Sequence, residues 1–331
     1  MLRKLKIQGS GIYLPKRIVK ASETAERLGV DLDWVSRFTG IEQRHFAEGD
    51  ETTSFMAAEA IKKALEKAGW QAKDLDLIVC ASGVPQQAIP CTAAFVQKHL
   101  GLEESGIPCF DINSTCLSFV VALDHLSTSI NAGIYKKVAL VSSDISSVGL
   151  NWKDRETASL FGDGAAAVML EASPLGSQGV VCSRVETYSW AVDSCLLEGG
   201  GSLIHPSFYS AETADRFYFK MNGKKIFKAA SQVMEAFLDR LLSPMNMKIQ
   251  DFKCILPHQA SMLAMEAMKR KLELTDDQLM NIIPNHGNMI AASIPTALHY
   301  AIQEKRIGRG EKVLLVGTSA GFSVGALVLE Y

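Results

Sequence analysis

Cys116, His258 and Asn288 are the side chains of this sequence whose chemistry and placement suggest a reacting centre. Cys116 lies in FDINSTCLSFVVALDHL, where an apolar run from Ile107 to Ile112 breaks at Asn113, Ser114 and Thr115. A helical pattern then begins, with Phe119, Leu123 and Leu126 on one face. This spacing predicts a thiol at a helix N-terminus. A free thiol with a pKa of about 8.5 is only ~3% thiolate at pH 7. The unpaired N–H groups of a first turn favour the anion, and lowering the pKa by roughly 1.5 units corresponds to about 2 kcal/mol. The expectation is therefore a nucleophilic thiolate, against the plain structural role of a small buried hydrophobe.

A thiolate needs partners that move protons or stabilise charge. His258 follows the buried run Cys254 to Pro257 and precedes a helical pattern carrying Met262, Met265, Met268 and Leu272, which puts an imidazole at a second strand-to-helix junction. If the two halves of the chain are related, the Cys116 and His258 junctions face each other. Asn288 lies in a polar glycine turn from Pro284 that leads into Ala291, Ala292 and Ser293, and its amide can donate a hydrogen bond without changing charge. Taken singly, a histidine at a strand end and an asparagine beside glycine are ordinary structural residues. Their combination with Cys116 carries the signal.

The elements that must position these groups follow one order twice. Ala57, Ile61, Ala64, Leu65 and Ala68 mark an amphipathic helix over residues 53 to 68, followed by a buried strand between Asp74 and Ser82. Ile226, Ala230, Val233, Phe237 and Leu241 mark another, followed by Asp251 to His258. KKVALVSSD followed by FGDGAAAVMLEA likewise resembles EKVLLVGTS followed by AGFSVGALVLEY. Two copies so far apart predict a duplicated α/β domain, not a solenoid, with halves 1–174 and 175–331. The aperiodic segment 189–216 is expected to be a long loop near the ligand.

At 331 residues, 47% hydrophobic and 21% charged with a net charge of -2, the chain is neither disordered nor strongly basic, so no nucleic-acid surface is expected. Seven cysteines, an odd number without a C-x-x-C pair, predict reduced thiols in a cytoplasm and no zinc site. Gln8, Gly9, Ser10 and Gly11 break the first apolar run before a signal core forms, and no run approaches the roughly 20 residues of a membrane span. Gly162-Asp-Gly164 and Gly317 to Gly321 are too irregular for a dinucleotide fingerprint, and Asp163 reads as a turn or N–H cap.

With these residues in view, the chain resembles the thiolase superfamily, and within it 3-oxoacyl-[acyl carrier protein] synthase III. The motifs are Gly9-Ser-Gly-Ile-Tyr-Leu-Pro15, Thr39-Gly-Ile-Glu-Gln-Arg44, the Cys116 segment, Phe161-Gly-Asp-Gly164, Pro257-His-Gln-Ala260 and His286-Gly-Asn-Met-Ile-Ala-Ala-Ser293. The resemblance implies an αβαβα thiolase-like fold of two pseudo-symmetric halves, a homodimer, and a Cys116, His258 and Asn288 triad. It implies an oxyanion site from the backbone N–H groups of Cys116 and Ala320. Coenzyme A would enter past Trp34 and Arg155, whose side chains would sandwich its adenine. Ile89 and Phe161 are the implied acyl-pocket positions. The implied reaction joins an acyl thioester to a malonyl thioester, on coenzyme A or acyl carrier protein, with loss of carbon dioxide and with no metal or redox cofactor. Related secondary-metabolite condensations and a silent acyl-binding subunit are the alternatives.

Departures from the family pattern are Phe38 beside Arg37 where an arginine is common, Leu263 at a carrier-docking position, Ser118 just after the nucleophile, and Ser319 and Ala320 in the usual all-glycine turn. Lys228, Lys269, Arg270 and Lys271 form a candidate basic patch for the carrier protein.

Overall fold

A computed structural model describes residues 2–173 and 178–331. The proposed division at 174/175 lies outside the described residues. Two five-stranded mixed sheets form the frame. In the first, the order is Lys6–Tyr13, Gly164–Glu171, Lys137–Asp144, Leu77–Cys80 and Cys109–Asp111. In the second, it is Arg3–Lys4, Gly179–Thr187, Ser323–Glu330, Lys312–Ser319 and Cys254–Pro257. Leu77–Cys80 runs parallel to Lys137–Asp144, and Cys254–Pro257 runs parallel to Lys312–Ser319 in the same register.

Side-chain alternation along these strands creates the layers. Leu77 and Val79 point to the centre of the molecule, whereas Ile78 and Cys80 point outward. The helices Ser118–Asn131 and Ser293–Gln303 fill the centre, packing Phe119, Leu123, Ile294 and Leu298 against both sheets. Thr53–Ala68 covers the outer face of the first sheet, and Gly223–Leu242 with Met262–Lys271 covers the outer face of the second. The result is the five-layered αβαβα fold. Each fully buried aliphatic side chain in these layers contributes about 1.5–3 kcal/mol.

Thr53–Ala68 shows how sequence sets position. The Thr52 hydroxyl accepts the Phe55 N–H, and Gly69 ends the helix at φ 70 with its N–H on Glu66 and Leu65 carbonyls. The helix lies directly on the first strand because Gly9 and Gly11 have no side chain: a Cβ at Gly9 would stand 2.3 Å from the Ala64 carbonyl oxygen. Gly9→Ala is therefore expected to cost about 1–3 kcal/mol, read as a lower urea midpoint at unchanged m-value.

The Ile107 to Ile112 run forms a strand only over Cys109–Asp111, with Phe110 exposed, because it is the sheet's last strand and lacks a neighbour on one side. The 189–216 segment consists of 3₁₀ turns at Ser189–Ser194, Pro206–Phe208 and Ala214–Phe217 with one two-residue strand, and it exposes Trp190, Leu203, Phe208 and Tyr209. Among the described residues no helix is long and apolar enough to cross a membrane.

Candidate active site

Cys116 sits in a sharp elbow. After Cys109–Asp111, the Asn113 side-chain oxygen accepts the Thr115 N–H at 2.9 Å, and Thr115 takes a left-handed backbone at φ 49, costly for a β-branched residue. A 3₁₀ turn over Thr115–Leu117 leads into the central helix. The buried Ser118 hydroxyl fastens the elbow, accepting the Ser114 N–H at 2.8 Å and lying 2.7 Å from the Thr115 carbonyl oxygen. Ser118, noted in the sequence only as a departure, is thus the cap of this turn.

The environment of the thiol overturns one expectation. Burial pushes Cys116 up to about 12; the negative charge of Asp144 adds to this, while the N–H groups of Cys116 and Ala320 act against it. The thiol lies in a 3₁₀ elbow that precedes the helix, with the Asp144 carboxyl group nearby, and not in the helix's own first turn. The resting group is a neutral thiol, so attack requires a base.

His258 supplies one. It follows Cys254–Pro257, its backbone N–H is held by the Val316 carbonyl at 2.8 Å, and its Nδ1 has no protein partner. Burial lowers its pKa to about 4, so the imidazole is neutral at pH 7 and free to accept a proton. Gly317 lies between His258 and Leu117: a Cβ there would be 2.7 Å from His258 Cβ and 3.4 Å from Leu117 Cδ2. Small residues on Lys312–Ser319 therefore let the His258 segment approach the Cys116 elbow. A cavity of about 370 Å3, lined mainly by apolar residues of Gly223–Leu242 and Met262–Lys271, reaches His258. The rate of Cys116 acylation is expected to stay level from about pH 8 down to about pH 5. An acid limb centred near 6.5, the ordinary histidine value, would contradict a buried neutral base.

Asn288 joins the same place from a third direction. Its backbone is fixed between Leu160 and Gly162, with its N–H on the Leu160 carbonyl at 2.9 Å and its own carbonyl on the Gly162 N–H at 3.0 Å. Its side-chain oxygen accepts the Ile290 N–H at 2.9 Å, while its Nδ2 approaches the Ala260 carbonyl at 3.4 Å, two residues beyond His258. The fold thus brings Asn288 to the His258 segment and, through Ile290, to the Cys116 elbow.

The two catalytic-type junctions proposed from the sequence are not symmetry mates. Strand register pairs His258 with Ala81, one residue beyond Leu77–Cys80. The counterpart of the Cys116 elbow is the turn at Ile290, which has φ 51 where Thr115 has 49. Asn288 and Ser293 there repeat the hydrogen bonds of Asn113 and Ser118.

The other sequence candidates fall into place around this centre. The Arg155 guanidinium lies 5.1 Å from the Trp34 ring, and Phe38 stacks on Trp34 at 4.8 Å. An adenine between Trp34 and Arg155 needs roughly 7 Å, two contact distances of ~3.5 Å, so the exposed Arg155 must swing outward to admit it. Phe161 is buried edge-on against Phe219 and bridges to Asn288; Ile89 is 84% exposed. Asp163 accepts the Ala47, Ser146 and Ser147 N–H groups, the capping role read from its sequence context. Lys269 and Lys271 pair with Asp276 and Glu235, which weakens the proposed basic patch.

Sequence reasoning missed Asp144. Its side chain is fully buried and accepts four backbone N–H groups, from Gly83 and Val84 on one oxygen and Ala291 and Ala292 on the other. The KKVALVSSD repeat held the signal, since it ends in Asp144 where its partner ends in Ser319.

Residues 110–189 match the family model 3-Oxoacyl-[acyl-carrier-protein (ACP)] synthase III, and residues 242–331 match the model of its C-terminal part. A Clostridium perfringens Beta-ketoacyl-[acyl-carrier-protein] synthase III is 35% identical over 325 residues, covering 98% of both chains. A protein of the same name from Neisseria meningitidis is 34% identical, covering 98% of this chain and 99% of its own. The crystal structure of 3-oxoacyl-[acyl-carrier-protein] synthase III from Aquifex aeolicus superposes with a TM-score of 0.89 at 31% identity, covering 99% of this chain and 100% of that one.

Proposed function

The chain belongs to the 3-oxoacyl-[acyl-carrier-protein] synthase III family, and from that premise we propose how its own residues carry out the family's reaction. The enzyme is an acyltransferase that condenses an acyl thioester with a malonyl thioester, with loss of carbon dioxide, and so initiates fatty acid synthesis. The observation that supports this assignment of roles is that Asn288 Nδ2 lies 3.4 Å from the carbonyl oxygen of Ala260, two residues beyond His258, while Gly317 lets the His258 segment approach Leu117, next to Cys116.

In the first half-reaction, Cys116 Sγ forms a bond to the acyl carbonyl as its proton passes to His258. The N–H groups of Cys116 and Ala320 hold the tetrahedral oxyanion. The intermediate collapses with cleavage of the acyl–sulfur bond of the donor, and the proton leaves with the departing thiolate. In the second half-reaction, His258 and Asn288 hydrogen-bond the malonyl thioester carbonyl. Carbon dioxide departs, its bonding electrons form an enolate, and the enolate carbon attacks acyl-Cys116. The thiolate released takes up a proton, and the 3-oxoacyl thioester leaves.

Coenzyme A as acyl carrier is supported by Trp34 and Arg155, which offer two stacking faces once Arg155 moves. The malonyl group would ride on acyl carrier protein. A homodimer is supported by the edge strand Cys109–Asp111 and by exposed Phe110 and Ile89, an apolar set that a second copy would cover. In that dimer Ile89 would reach the partner's acyl pocket, with Phe161 lining its own. Seven free cysteines suit the cytoplasm.

The test is carbon dioxide release and 3-oxoacyl product from purified protein supplied with acyl-coenzyme A and malonyl-acyl carrier protein. Both products are expected in equal amounts. Absence of both at every acyl length from C2 to C16 would reject the reading.

A further inference from the structure

Asp144 sits in the second copy of the nucleophile elbow. Asn113 and Asn288, Thr115 and Ile290, Cys116 and Ala291, Ser118 and Ser293, and Asp144 and Ser319 are all separated by the same number of residues. The elbows share their left-handed residue, their asparagine cap and their serine cap. They differ in what their N–H groups face. The Cys116 N–H is directed, with that of Ala320, at the Cys116 sulfur. The Ala291 and Ala292 N–H groups are occupied by Asp144 Oδ2, at 3.0 and 3.3 Å.

All four neighbours of the Asp144 oxygens are backbone N–H donors, which favour the carboxylate and act against the burial that pushes its pKa up to about 7. Its other oxygen grips Gly83 and Val84 at 2.8 and 2.9 Å. That loop is also tied to the Cys116 elbow, since Asn113 Nδ2 donates to the Gly83 carbonyl and Ser118 Oγ lies 3.1 Å from the Ser82 carbonyl oxygen. The contact between loop and turn is close: a Cβ on Gly83 would stand 2.5 Å from Ile290 Cγ2. One buried carboxylate therefore links the turn that carries Asn288 to the loop that supports Cys116.

We propose that Asp144 is a positioning residue: a buried carboxyl group held in the duplicate of the oxyanion site, which sets the distance of Asn288 from Cys116. The proposal rests on the role assigned to Asn288 above. It also explains why Ser319, the counterpart of Asp144, is short: an aspartate there would lie against the N–H groups that must receive the substrate oxygen.

Asp144→Asn, Asn288→Ala and their double variant test this, read by carbon dioxide release from a malonyl thioester and separately by acyl-Cys116 formation. Asparagine keeps one acceptor but turns an NH2 toward two donors, which frees one of the two segments. A shift of about 1 Å in Asn288 lowers rate by about 10²-fold. Asp144→Asn is expected to slow carbon dioxide release by that order with acylation within about threefold, and the double variant should be no slower than Asn288→Ala. Equal loss in both half-reactions, or losses that multiply in the double variant, would mean a merely structural role and overturn the proposal. Normal release by Asn288→Ala would overturn the role of Asn288 and the proposal with it. Loss in Asn288→Ala with none in Asp144→Asn would overturn the proposal alone. Ser319→Asp provides a measurement independent of Asp144→Asn folding: it should block acylation of Cys116, and normal acylation would refute the equivalence of the two elbows.

Discussion

Cys116→Ala is expected to lower condensation by about 10⁴-fold or more while leaving the fold and the binding of acyl-coenzyme A intact. The magnitude follows from removing the atom that forms the covalent intermediate, since nucleophile deletions cost far more than the loss of a single hydrogen bond. The structural cost is small because the N–H groups of Cys116 and Ala320 and local packing hold Sγ, while the elbow is built by Asn113, Thr115 and Ser118. Carbon dioxide release from malonyl thioester should persist in the variant, because His258 and Asn288 remain. The check is a pair of assays on one preparation, product formation and carbon dioxide release, with a melting curve to exclude unfolding. Loss of both activities together in a folded variant would mean that Cys116 takes part in decarboxylation as well.

His258→Ala and Asn288→Ala carry the second large effect. Each is expected to slow decarboxylation by about 10²–10³-fold, the range for loss of one preorganised donor to a developing oxyanion. The double variant should fall close to the worse single one, because the two donors act on the same oxygen as a unit. The singles should differ in the other half-reaction. His258 is the only base assigned to the thiol, whose burial keeps it protonated, so His258→Ala should also slow acylation of Cys116. Asn288→Ala should leave acylation within a few-fold of the wild type. Equal acylation defects in both variants would place the base elsewhere.

The sequence carried the architecture well where periodicity reported burial. Thr53–Ala68 was legible to the residue because apolar positions recur at helical spacing and Thr52 and Gly69 punctuate its ends. Duplication was legible because the strands Lys137–Asp144 and Lys312–Ser319 are buried on both faces and leave little freedom in composition. Cys116 and His258 stood out because each follows a strand at a break in pattern, Asn288 because it lies in a polar glycine turn, and the family motifs join them.

What stayed hidden depended on contacts between distant segments. The thiol's raised pKa comes from packing and from Asp144, neither of which is visible in the local N-terminus argument. The pairing of the Cys116 elbow with Ile290 instead of His258 required strand register and backbone dihedrals. Asp144 ends its strand with no local sign of its role, because its four donors come from residues 83, 84, 291 and 292. The closed approach of Arg155 to Trp34 was likewise a matter of distance, which residue types alone do not give.

The most direct measurement is the intact mass of the protein after incubation with acyl-coenzyme A esters from C2 to C16, beside Cys116→Ala. A mass gain equal to one acyl group, present in the wild type, absent in the variant and discharged on adding malonyl-acyl carrier protein, is the predicted result. An adduct that persists in Cys116→Ala, or none with any coenzyme A or carrier-protein ester, would contradict Cys116 as the nucleophile.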